Sequence, residues 1–118
     1  MRNLSFMLTG PQFLDRSKDV TRRIGWLFAK PGDVVMGVEK SQGLGKGGKI
    51  NPYGPIQFTN VRREPLRRMT DDVLYGTSEC MREGFPDMSP EEFVAFWCKG
   101  HRGTSPESIV TRLEYKYL

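Results

Sequence analysis

Lys18, Thr21 and Arg23 stand at a Lys-x-x-Thr-x-Arg spacing, with Arg22 between them and Trp26 just beyond. A lysine near a hydroxyl is the outline of a base and its nucleophile. A neutral amine can take the proton of the threonine, or of a water that the threonine holds. The amine is neutral at working pH only if burial or nearby cations lower its pKa, and Arg22 and Arg23 are such cations. Residues three apart share a face on a helix, but on a strand they point opposite ways, about 10 Å apart. Lys18 and Thr21 can therefore cooperate only where the chain turns between them, at a helix end that runs into a strand. The spacing alone fits equally well a solvated lysine ahead of an ordinary strand threonine.

Arg62-Arg63 and Arg67-Arg68 flank Glu64-Pro65-Leu66. Arginine forks of this kind grip phosphate oxygens without reading sequence, and they also serve as plain solvated connectors. Gly43-x-Gly45-x-x-Gly48 and Gly43-x-x-x-x-Gly48-Lys49 match the two glycine-rich phosphate-binding patterns. Both patterns need the glycines to open a helix, and Asn51-Pro52-Tyr53-Gly54-Pro55 cannot be that helix. What remains is a loop over residues 41–55 that offers Lys46 and Lys49 to a phosphate backbone, or simply a solvated one.

Cys98 and His101 form a Cys-x-x-His pair without a second pair, so no zinc site is expected. His101 sits in Lys-Gly-His-Arg-Gly, which reads as a solvated loop. No cofactor is implied. No apolar run approaches the roughly 20 residues of a membrane span, nor is there a signal-peptide pattern, so the chain is expected in the cytoplasm. The net charge of +4 hides a split: residues 1–68 carry 13 Lys/Arg against 5 Asp/Glu, and residues 69–118 carry 5 against 9. A positive face towards a polyanion follows from that balance.

The elements that must position these residues are readable in part. Leu4, Phe6 and Leu8 alternate as an opening strand, and residues 11–17 allow one or two helical turns. Val20 to Ile24 is β-prone, and Pro31-Gly32-Asp33 turns into a strand at Val34 to Val38. Residues 56–63 alternate as a strand, and Thr70-Asp71-Asp72 can start a helix. Ser89-Pro90-Glu91-Glu92 is a capping box with proline at the first helical position, and Phe93, Phe96 and Trp97 follow at helical spacing. Ile109 to Tyr117 closes the chain as a strand. A chain of 118 residues fits one domain, 1–118, of α+β class. Its sheet is expected to curl into a small β-barrel with short helices packed at one side.

Taken together, Ser5-Phe6, Lys18-Asp19-Val20-Thr21-Arg22-Arg23 with Trp26, Lys30-Pro31-Gly32-Asp33-Val34-Val35, Val61-Arg62-Arg63-Glu64-Pro65-Leu66, Glu83-Gly84-Phe85, Glu92-Phe93 and Leu113-Glu114-Tyr115 resemble the ASCH domain family. That family is a branch of the PUA-like superfamily of small RNA-associated β-barrels. The resemblance implies a PUA-like barrel with a cleft that binds RNA or a modified nucleoside or nucleotide. It also implies two reactions: amidohydrolysis of acetylcytidine, as in small bacterial members, or ribonuclease action. Members of this kind often occur in phages and prophages. By the same resemblance Lys18 is the base, Thr21 the nucleophile or water-holder, and Glu83, with Glu79 as alternative, the acid that protonates the leaving amine. Arg22, Arg23, Trp26, Lys46, Lys49, Arg62 and Arg63 would bind the RNA or nucleotide, with Tyr53 a second candidate for stacking on a base. The Gly-rich loop and the second arginine after Thr21 depart from the amidohydrolase pattern. A module that binds another protein, without nucleic acid, is the remaining reading.

Overall fold

The computed structural model describes residues 1–40 and 48–118. The expectations placed on Gly43, Gly45 and Lys46 lie outside the described residues. In chain order the elements are β1 (Asn3–Ser5), α1 (Gly10–Leu14), β2 (Val20–Arg23), β3 (Val34–Val38), β4 (Pro52–Pro65), α2 (Arg68–Asp71), α3 (Val73–Glu83), α4 (Pro90–Gly100) and β5 (Ile109–Tyr117). Among the described residues no helix is long and apolar enough to cross a membrane.

The local chemistry accounts for the helix starts. The Ser89 hydroxyl accepts from the Glu92 backbone N–H and the Glu92 carboxylate accepts from that of Ser89, so the capping box forms as its sequence implies. At α3 the cap is Asp72, whose carboxylate accepts from the Tyr75 N–H. The strand expected from residue 56 begins at Pro52 instead, inside the stretch read as loop. Two glycines make this possible. Gly54 pairs with Gly37 on β3, and a Cβ on Gly37 would sit 2.4 Å from the Phe13 ring of α1. Glycines of this kind look like loop residues in sequence, but here they let the ring and two backbones pack closely.

The sheet has the order β1-β3-β4-β5-β2, with β1 parallel to β3 and the other pairs antiparallel. It is an open five-stranded sheet, so the expected closed barrel is corrected. Closure would need the edge strands β1 and β2 to pair. The free edge of β2 is already occupied by helices: the Trp97 indole N–H of α4 donates to the Arg22 carbonyl at 3.1 Å, and the Asp19 N–H, just before β2, donates to the Arg82 carbonyl of α3. Two cores result. One, around Phe6, Phe13, Ile56, Phe58, Leu113 and Tyr115, lies between the sheet and α1. The other, around Leu66, Met69, Phe93, Trp97 and Val110, joins the helices to the sheet.

Candidate active site

Lys18 falls in the short connection between α1 and β2, whose turn is at Asp15-Arg16; no turn separates Lys18 from Thr21, so the junction expected between them is corrected. From there its ammonium reaches the end of α3. Nζ donates to the Glu83 carboxylate at 2.8 Å and to the Glu83 backbone carbonyl at 2.9 Å. That carbonyl is one of the orphan acceptors of a helix C-terminus, and Gly84, left-handed at φ 97°, ends the helix there. Lys18 is 2% exposed and Glu83 3%. Burial pushes the lysine below its usual range, and Glu83 works against that shift. The second Glu83 oxygen accepts from Arg22 at 2.9 Å.

Along β2 successive side chains alternate between the faces of the sheet. Thr21 and Arg23 share a face, and the Arg23 Nε donates to the Thr21 hydroxyl at 2.9 Å. The Arg23 guanidinium also lies 5.1 Å from the Phe6 ring centre, and burial pushes its pKa down to about 10. Arg22 takes the other face, opposite Arg112 on β5, which is in turn opposite Arg62 on β4. Three arginines side by side repel one another. Carboxylates compensate: Glu79 of α3 accepts from Arg22 and Arg112, and Glu64 accepts from Arg62 and Arg68. The Tyr75 hydroxyl donates to Glu64 at 2.8 Å and accepts from Arg62. Burial alone would raise the Glu79 pKa, but Arg112 and Arg22 overcome it and hold the carboxyl at about 2.

Lys18, Thr21, Arg23 and Glu83 line one cavity of about 240 Å³. Arg22 contributes as well, and the walls are aromatic: Phe6, Phe85, Phe93, Phe96, Trp97 and His101. A cavity of this size has room for one ring system. The other residues expected to bind RNA lie elsewhere. Arg62 is engaged by Glu64 and Tyr75, Arg63 is exposed on β4, and Lys49 is exposed ahead of it. Trp26 packs on Phe28 and Phe58, and Tyr53 on Phe13 beside a separate cavity. Glu79, the alternative acid, is not among the cavity residues and pairs with arginines.

Sequence reasoning gave no site role to Arg112, Tyr75 or Phe85, and it read His101 as a solvated loop residue, whereas His101 is half-buried and stacked on Trp97. The 75-79-83 spacing of Tyr75, Glu79 and Glu83 was the available signal, because it places all three on one helix face. His101 carried no such signal, since its position depends on where α4 ends.

No protein-family model matches the sequence, and no curated protein matches it. Among solved structures the chain is similar in fold to protein EF3133 from Enterococcus faecalis V583, described under the family DUF984. The two are 13% identical with a TM-score of 0.62, and the match covers 100% of this chain and 76% of that one. At that identity the likeness concerns the fold alone.

Proposed function

We propose that the protein is an ASCH-like domain that binds a single modified nucleobase, as a nucleoside or nucleotide, and hydrolyses its N-acyl bond. The observation that carries this reading is the meeting of Lys18, Thr21 and Glu83, drawn from positions up to 65 apart, in one small aromatic-walled cavity. Aromatic walls favour a planar ligand, and the polar cluster offers a base, a hydroxyl and a cation to an amide.

In this reaction a water held by the Thr21 hydroxyl gives its proton to the neutral Lys18 amine as its oxygen attacks the acyl carbon. The carbon–nitrogen bond then breaks, and the Lys18 ammonium returns the proton to the leaving amine. The products are the carboxylic acid and the free base. Glu83 acts as a positioning residue here, not as the proton donor, because both its oxygens already accept from Lys18 and Arg22. Arg23, tied to Thr21 by its Nε, fixes the hydroxyl.

The test is incubation with acetylcytidine while the release of cytidine is followed by chromatography. Turnover is expected in the parent and is abolished in Lys18→Met, with affinity reduced only a few-fold. Binding of acetylcytidine with no cytidine released would leave a binding module. Absence of binding would end the nucleoside reading.

A further inference from the structure

We infer that His101 is the specificity-determining contact of this cavity, its Nε2 accepting a hydrogen bond from the N–H of the ligand's amide. The inference rests on the N-acylated nucleobase reading above and names the group that selects for it.

The ring is held by a hydrogen bond at Nδ1 and by stacking on one face. Its Nδ1 lies 2.7 Å from the Trp97 carbonyl oxygen. A carbonyl oxygen can only accept, so Nδ1 carries the hydrogen, and in the neutral ring Nε2 presents its lone pair. The imidazole stacks on the Trp97 indole with centres 3.7 Å apart and planes 12° from parallel. Trp97 is itself fixed by its bond to the Arg22 carbonyl. The His101 backbone is tied as well, its N–H donating to the Cys98 carbonyl and its own carbonyl accepting from Thr104. Among the described residues Nε2 has no partner. His101 lines the cavity, half-buried, together with Lys18, Thr21 and Glu83. Of the other cavity side chains, Ser5, Thr9 and Thr21 carry hydroxyls and Glu83 a carboxylate, and the rest are cationic donors or apolar. The Thr21 hydroxyl and the Glu83 carboxylate are occupied by Arg23, Lys18 and Arg22. His101 therefore supplies an unclaimed acceptor, and it matches a secondary amide, which has an N–H, over an ester or an N-methylated amide, which has none.

The chain has one histidine, so its imidazole nitrogens can be followed without ambiguity by long-range proton–nitrogen NMR. In the free protein the Nδ1–H tautomer is expected, and titration with acetylcytidine should shift Nε2 together with the amides of Lys18 and Thr21. His101→Phe keeps the stacking and removes both nitrogens. His101→Asn keeps a donor for the Trp97 carbonyl and lacks Nε2. Each should bind acetylcytidine about tenfold more weakly, the loss of roughly one hydrogen bond, and bind its N-methylated analogue as the parent does. An Nε2–H tautomer in the free protein would overturn the inference. So would movement of the Lys18 and Thr21 amides without Nε2, or parent-like affinity in both variants. If acetylcytidine moves no cavity signal, the nucleobase reading fails, and this inference falls with it.

Discussion

Glu79→Gln is the sharpest test of how the sheet and α3 are held together. Glu79 accepts from Arg22 at 2.5 Å and from two nitrogens of Arg112 at 2.5 and 3.0 Å, with only 2% of its surface exposed. The glutamine keeps the shape and removes the charge, leaving two buried arginines short of a partner. Breaking one side of a buried ion pair costs about 3–5 kcal/mol. An independent route to the size of the effect is proton linkage. The Glu79 pKa is about 2 in the native protein against an ordinary 4.5. A depressed carboxyl stabilises the fold above its unfolded pKa, and that contribution is lost as pH falls through the native value. The full difference corresponds to about 3 kcal/mol, in line with the first figure. By pH 3 about 2 kcal/mol of it should be gone. Urea unfolding of parent and variant at pH 7 and pH 3 provides the assay. The variant should be about 3–5 kcal/mol less stable at pH 7, and the gap should narrow by about 2 kcal/mol at pH 3. A deficit below about 1 kcal/mol at pH 7, the range of an ordinary surface pair, would refute the account. A gap independent of pH would refute it too.

Turnover of acetylcytidine should rise with pH and level off above the native pKa of Lys18, which burial lowers from the ordinary 10.5. A rate that stays flat through the alkaline limb would remove Lys18 as the base. The unfolded chain keeps the Lys18 proton to higher pH than the native one, so this group also makes the native state more stable as pH climbs between the two values. Gly76→Ala should destabilise by at least about 3 kcal/mol, or prevent folding, because a Cβ would lie 1.8 Å from the Met69 carbonyl oxygen between α2 and α3. Thermal melts measure this, and a melting temperature within a degree of the parent's would show that α2 can give way.

The period-2 pattern of Ile109 to Tyr117, the turn at Pro31-Gly32-Asp33 and the capping box at Ser89 were legible because each depends on neighbours a few positions away. Lys18 and Thr21 were legible from their types and spacing and, with Glu83, from the family resemblance, but the turn expected between the first two lies ahead of Lys18, at Asp15-Arg16. The start of β4 at Pro52 was not legible, since the role of Gly37 and Gly54 depends on the Phe13 ring arriving from another element.

By itself, then, the sequence determined the local elements and the mixed α+β class. Only the tertiary structure decided that the sheet stays open, because Trp97 and Arg82 take the β2 edge that closure would need. It also decided which cations are free and which are consumed. Arg22, Arg62 and Arg112 look alike in sequence, but strand register sets them side by side against Glu64, Glu79 and Glu83, while Arg23, one residue from Arg22, faces the cavity. Charge counts add along the chain, but electrostatic partners are set by which faces and helix ends the fold brings within a few ångströms.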